Sequence, residues 1–480
     1  MNNISCKEIA KYISQSSDFL ELAKHIRKNE LKGYDSSSES PTDIFEVRLD
    51  NGKRLIFKIF PHKINNTLAI KDEKGTNIHF SINTQQLLYE QLVYSLKIKP
   101  LLYNNICPFF IDTYKLHFDI DYETLLKFMT FIIKEDHMTP EKIRLNLNRN
   151  IFYMLFVYQN ANSQIYIKNK YFSENKRFSL TTERTNITQR YIKYDETTNK
   201  ESIYHITDKV LLSNDSNEFL KSVKFGTIIT EMINNTVHSE LTYLENKKLS
   251  GEITINQFMN SLKEITIQCL IACYTMYLSG LIHNDLHTDN IRIVKADEKE
   301  KFSYLYKING KKYYFESNYC IKVFDYDRSY MKGMDNDYLD GGLEKFSQAN
   351  VLVNKKDFVK VCCYFNKHYN NNFTRQERKL IKRYYTYLLL NKENMELTDY
   401  VYDDDCYLVD KDLGAPSNSE QNFELFSSYE DMIDKALKEY EITDSKYELL
   451  LENKNITPYY LDEKYFRDYN FDSVAFHSFS

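Results

Sequence analysis

A long amphipathic helix that ends on a glycine and passes directly into a polar turn limits the folds open to this chain more than any other stretch. Phe258, Leu262, Ile265, Cys269, Cys273 and Met276 recur at spacings of three and four, the period that gathers apolar side chains on one helical stripe. Such a stripe must be buried against other elements. Gly280 stands where a helix C-cap glycine belongs, since the residue after a helix end often takes the left-handed conformation. The chain then reads LIHNDLHTDNIRI over Leu281–Ile293, so that Asp285 and Asn290 lie five residues apart. Roughly 35 residues later a second apolar run, Ile321–Phe324, leads into Asp325-Tyr326-Asp327.

Upstream, Ile44–Phe60 reads IFEVRLDNGKRLIFKIF. Asp50-Asn51-Gly52 is a tight-turn signal between two β-rich runs. On the second run Leu55, Phe57 and Ile59 face one way and Ile56, Lys58 and Phe60 the other. Taken alone, Lys58 reads as a strand lysine reaching for water. Gln85–Lys97 reads as a helix with Leu88, Leu92 and Leu96 on one stripe and Glu90 near its middle, stopped by Pro100. Taken alone, Glu90 is a solvated helix residue. Cys107–Ile111 looks like the start of a strand, and Lys224–Met232 is again strand-like. Residues 115–220 alternate apolar pieces with Asn- and Thr-rich stretches and read as a large insertion with structure of its own.

Composition excludes more than it assigns. The chain has 480 residues, 42% hydrophobic and 27% charged, with a net charge of −5. That is a globular balance with no global basic field for nucleic acid. No apolar run reaches membrane-spanning length, and the N-terminus carries no signal-peptide core. The eight cysteines show no CxxC pair, and Cys269 and Cys273 read as core residues of a reduced, intracellular protein.

The residue types around Asp285 suit phosphoryl transfer, which is mostly positioning and charge neutralisation. One carboxylate must meet an acceptor hydroxyl. A second carboxylate and an amide oxygen must hold hard cations that bridge phosphate oxygens. In order, the chain offers a strand lysine, a helix glutamate, His-x-Asp-Leu-x-x-x-Asn after a long helix, and a strand ending in Asp-aromatic. In this it resembles the divergent serine/threonine protein kinases of poxviruses and giant DNA viruses, over roughly residues 30–370.

The resemblance implies an α+β, two-lobed protein-kinase-like fold, with a β-rich N-lobe carrying the insertion and a mainly helical C-lobe. Its implied boundaries are an N-terminal extension (1–29), an N-lobe and hinge (30–232, insertion near 115–220), a C-lobe (233–440) and an acidic tail (441–480). It implies ATP and Mg²⁺ (or Mn²⁺) as cofactors. Lys58 would pair with the α- and β-phosphates, and Glu90 would orient Lys58. Asp285 would accept the hydroxyl proton, Asn290 and Asp325 would hold metal, and His283 would tie the loop together. Gly33, Ile56 and Thr230–Met232 (Thr230, Glu231, Met232) would contact the nucleotide, the last three as a hinge whose backbone binds adenine. Asp357 would brace the catalytic loop. The implied partner is a protein substrate offering Ser or Thr, without nucleic acid or membrane, in host cytoplasm or virion.

Several positions depart from the family. Gly33–Pro41 holds one glycine where three are usual. Ile56 replaces Ala, and Asp327 replaces the Gly of Asp-Phe-Gly. Asn284 replaces the Arg that receives an activation-loop phosphate, so activity without such phosphorylation is expected. No Ala-Pro-Glu closes the segment after Asp327. His287 stands where serine/threonine kinases usually place Lys, and His-x-Asp-Leu-His-x-x-Asn is also similar to aminoglycoside and choline phosphotransferases. His287 is thus a candidate catalytic residue. A small-molecule phosphotransferase and a pseudokinase scaffold are the competing readings.

Overall fold

The computed structural model describes residues 19–26, 32–33, 43–65, 68–80, 85–133, 138–161, 189–195, 200–297, 300–331, 356–368, 373–390, 400–402, 408–410, 427–453, 455–462 and 466. The fold is mixed α+β with several sheets. Its chain packing forms two units, residues 1–91 with 112–232, and residues 92–111 with 233–480.

The first unit is built on five strands: β1 (Lys32–Gly33), β2 (Asp43–Arg48), β3 (Arg54–Ile64), β4 (Thr113–Asp121) and β5 (Val223–Glu231). They run in the order β1-β2-β3-β5-β4, every pair antiparallel. The β2–β3 turn closes as its residues require. Gly52 takes φ +87°, its N–H bonds Leu49 O, and Asn51 Oδ1 accepts from Lys53 N–H. Alternation then sends Phe45, Val47, Leu55, Phe57 and Ile59 into the core. There Phe57 stacks on Phe45 at 5.4 Å and meets Phe128 at 5.8 Å.

Helix α1 (Gln85–Val93) continues into a π-helical turn, Tyr94–Ile98, and then into α2 (Lys99–Tyr103). Pro100 therefore does not stop the helix. It sits in the first turn of α2, where a missing N–H costs nothing. The wider π turn also rotates the buried face. Tyr89, Val93, Tyr94, Lys97 and Ile98 are buried, while Leu92 and Leu96 are only half-buried. The expected leucine stripe was drawn without that extra residue. Cys107–Ile111 forms no strand; Phe110 makes one isolated bridge to Val323.

The region read as an insertion starts inside the sheet, with β4. Its apolar runs become α3 (Tyr122–Ile132) and α4 (Pro140–Ala161). Leu125, Phe128, Met129, Ile132, Ile143, Leu147 and Ile151 join the same core as the strands. These helices thus share one hydrophobic core with the sheet.

In the second unit, β6 (Asn235–Thr236) and α5 (Val237–Leu249) precede the long helix α6 (Ile255–Leu278). A reciprocal capping box between Thr254 and Gln257 starts α6. Gly280, at φ +70°, ends it. The expected stripe is buried, Cys269 and Cys273 included. Burial pushes both thiols up, as an apolar surround must. Strand β7 (Leu281–Ile282) follows at once, then β8 (Ile291–Lys295), β9 (Phe302–Ile308), β10 (Lys311–Ser317), β11 (Tyr319–Val323) and β12 (Tyr330–Met331). Helices α7 (Lys356–His368), α8 (Arg375–Leu389), α9 (Tyr429–Leu437) and α10 (Asp444–Leu451) follow.

The β9–β10 hairpin was not anticipated, although Asn309-Gly310 between apolar alternations is its signal. Both residues take positive φ, +47° and +86°. The acidic C-terminal stretch also contributes structure, since β13 (Pro458–Leu461) pairs parallel with β9. No helix among the described residues is long and apolar enough to cross a membrane.

Candidate active site

Lys58 and Glu90 meet in the first unit. Lys58 projects from the half-buried face of β3, and its Nζ donates to Glu90 Oε2 at 2.7 Å. The side chains are 13% and 2% exposed. Neither residue is therefore the solvated surface group it resembles when read alone. A buried pair of this kind is costly to form and costlier to break, because one charge would be left behind.

The expected hinge residues lie at the end of β5. Thr230 lies within the sheet ladder, opposite Ile56 and Thr113. Glu231 N–H donates to Asp112 O and Met232 N–H to Arg54 O. The backbone donors of Glu231 and Met232 thus bond the residue before β4 and the first residue of β3. Gly33 ends the short strand β1. The rest of the expected glycine-loop stretch, residues 34–41, lies outside the described residues.

In the second unit, the turn after α6 is fixed from three sides. Asp357, buried in the first turn of α7, accepts His283 N–H through Oδ2 at 2.7 Å and Asn284 N–H through Oδ1 at 2.9 Å. That is the bracing contact implied for Asp357. The buried His283 ring places Nε2 2.9 Å from Phe324 O. A carbonyl can only accept, so Nε2 carries the proton. Phe324 N–H in turn bonds Asn290 O. Beyond it, β8 and β11 zip together from Ile291↔Val323 onward. The Asp285 turn and the strand end before Asp325 are therefore held as one hydrogen-bonded body.

Asn290 Nδ2 donates to Asp285 O at 3.0 Å. This turns the amide so that Oδ1 points away from that carbonyl and can serve as a donor to a cation. Asp325 takes φ +69° and Asn284 φ +62°, a region that Asp and Asn enter more readily than most residues. Tyr326 is fully buried beside them. Its ring lies 5.1 Å from those of Tyr94 and His283, and Asp325 N–H donates to Tyr94 Oη. The aromatic residue of Asp-Tyr-Asp is thus a packing anchor that sets the backbone at Asp325. Ser329 is buried, donating to Tyr326 O, and Tyr330 lies in β12.

Three cationic or imidazole groups surround the Asp285 carboxylate, two of them missed by sequence reasoning. Lys360 Nζ lies 3.4 Å from Oδ1, and Arg328 lies 3.5 Å from Oδ2. His287 Nε2 stands 4.0 Å from Oδ2. The signal for Lys360 was its place three residues after Asp357, on the same helix face. His287 Nδ1 accepts from Asp289 N–H at 3.3 Å, which leaves the ring proton on Nε2, toward Asp285. Burial lowers the His287 pKa from its ordinary value, outweighing the pull of Asp285 and Asp289. The imidazole is therefore neutral at neutral pH.

Among the described residues no group of three or more His, Cys, Asp and Glu side chains gathers as a metal cage. Mg²⁺ is commonly held by one or two carboxylates together with substrate phosphates and waters. The oxygen donors of Asp325 and Asn290 fit that chemistry in kind. No family model matches the chain, and no curated protein matches it in sequence.

Proposed function

We propose that this protein is an ATP-dependent phosphotransferase with a two-lobed protein-kinase-like fold, and that its acceptors are Ser and Thr hydroxyls of proteins. The observation that carries the reading is the double grip of Asp357 on His283 and Asn284. It holds Asp285 at a fixed place on a turn that is hydrogen-bonded to the strand end before Asp325. The Lys58–Glu90 pair in the first unit supports it independently. The Asp-Tyr-Asp-Arg-Ser run favours a protein acceptor.

In this reading Asp285 accepts the acceptor's hydroxyl proton while the hydroxyl oxygen attacks the γ-phosphorus, and the bond to the bridging oxygen breaks to release ADP. Lys58, oriented by Glu90, binds the α- and β-phosphates. Asn290 and Asp325 would hold Mg²⁺ or Mn²⁺, which neutralises charge on the phosphate oxygens when bound. His283 and Tyr326 keep the two segments in register.

The acceptor class is tested by supplying γ-labelled ATP and Mg²⁺ with a mixture of basic proteins, beside a panel of amino-sugar and choline acceptors. Label on Ser or Thr is the expected result. Label only on the small acceptors would replace the protein-kinase assignment with a small-molecule one. No ATP turnover with either would leave the scaffold reading.

A further inference from the structure

We propose that Lys360 is a catalytic residue that contacts the phosphoryl group during transfer, an inference that rests on the phosphotransferase reading above. Its ammonium is placed by a rigid element. Lys360 lies one turn beyond Asp357 on α7, so the two side chains leave the same face of the helix. Asp357 pins that face to the loop through two backbone N–H groups. Lys360 then reaches Asn284 O and Asp285 Oδ1, both at 3.4 Å.

The way these contacts are made argues against a purely structural lysine. The Lys360 side chain is 19% exposed, so most of its length is packed against protein. An ammonium has three donors. Two are used here, on contacts well beyond the ~2.7–2.9 Å of a good charge-assisted hydrogen bond. The third has no partner among the described residues. A mostly buried cation held this loosely gains little from its pair. It does, however, stand beside the carboxylate that takes the hydroxyl proton.

Negative charge on the moving phosphoryl group is spread over its equatorial oxygens. A fixed cation beside Asp285 can meet those oxygens without rearrangement. Arg328, on the other oxygen of Asp285, is 48% exposed and lies on a turn, where solvent weakens it. His287 Nε2 stands 4.0 Å from the same oxygen, farther than either cation stands from the carboxylate. In the step itself the acceptor O–H bond breaks and its proton passes to Asp285. An O–P bond forms, and the bond from the γ-phosphorus to the bridging oxygen breaks, its electron pair leaving with ADP. Lys360 takes no part in the proton transfer and donates hydrogen bonds to the phosphoryl oxygens.

The test compares Lys360→Met, Lys360→Gln and Lys360→Arg with wild type and Asp285→Ala in the full-length chain. Three quantities are read: the single-turnover rate of γ-phosphate transfer, MgATP affinity and the melting midpoint. Both uncharged variants should slow transfer by about 10²–10³-fold. Their MgATP affinity should stay within about threefold and their melting within a few degrees, because the lost contact is made in the transition state. Lys360→Arg should recover at least about tenfold of the lost rate by restoring the charge. If Met and Gln variants transfer as fast as wild type while Asp285→Ala is inactive, the Lys360 assignment is wrong and the phosphotransferase reading stands. Loss of melting midpoint and affinity in step with rate, without recovery in Arg, would make Lys360 a structural residue. No transfer by wild type, or undiminished transfer by Asp285→Ala, would overturn both.

Discussion

The two units hold their candidate residues in opposite ways. In the first, Lys58 and Glu90 come from a strand and a helix far apart in sequence, and one close ion pair joins them. In the second, the loop from His283 to Asn290 is a contiguous stretch held by a web of hydrogen bonds. Asp357 binds two of its N–H groups, His283 ties it to Phe324, and Asn290 closes it on Asp285. The difference teaches where fragility lies. The first arrangement fails when one side chain is removed. The second can lose a contact and keep its shape, except at the buried carboxylate on which two bonds converge.

The largest effect expected is chemical and local. Asp285→Ala should reduce γ-phosphate transfer by about 10²–10⁴-fold, the usual worth of a positioned general base, with little change in melting because Asp285 is only partly buried. Next comes Asp357→Ala, which orphans two N–H groups at a buried carboxylate site. It should cost roughly 2–5 kcal/mol of stability, read as a lower denaturation midpoint, and transfer should fall with it. If Asp357→Ala melts like wild type, the loop does not depend on that grip. Lys58→Ala should cost up to about 3–5 kcal/mol by stranding Glu90, and the double variant Lys58→Ala/Glu90→Ala should be more stable than the single one. A single variant as stable as wild type would show that the pair carries no such burden.

Smaller effects sharpen the same contrast. Asn284 offers no cation for an activation-loop phosphate, so phosphatase-treated protein should keep its full transfer activity. Activity appearing only after phosphorylation beyond Asp327 would contradict this. The smallest effect concerns His287. Burial depresses its pKa in the folded state, so the folded protein binds its proton less readily than the unfolded chain. The stability linked to it is complete above the unfolded pKa of about 6.5 and is lost as pH falls through the lowered folded value. His287→Gln should flatten that part of the melting-versus-pH curve. An unchanged curve would show that the ring is not held neutral.

How much of this was legible in the sequence follows from the same contrast. The motif from His283 to Asn290, the glycine-ended helix before it and the Asp-aromatic strand end are contiguous, so residue order alone displayed them. Lys58 and Glu90 carry no local signature. Only the resemblance singled them out, and burial makes them a pair. Arg328 was missed because nothing local distinguishes a turn arginine from a solvated one, and Lys360 because its one signal, the spacing from Asp357, says nothing of Asp285 until the fold brings α7 to the loop. The π turn at Tyr94–Ile98 was invisible because an extra residue in a helix leaves composition unchanged while rotating the apolar face. The partners of the Glu231 and Met232 N–H groups were illegible for a related reason. Backbone groups carry no sequence label, and their partners depend on which strands lie alongside.

The most direct test of the central claim is single-turnover transfer of γ-phosphate from ATP with Mg²⁺ for wild type, Asp285→Ala and Asp325→Ala, with nucleotide binding measured on the same samples. Transfer by wild type, its near-abolition in both variants, and nucleotide binding retained in Asp285→Ala would support a phosphotransferase with the carboxylate roles assigned above. Transfer that survives both substitutions, or a wild type that binds and turns over no ATP, would contradict it.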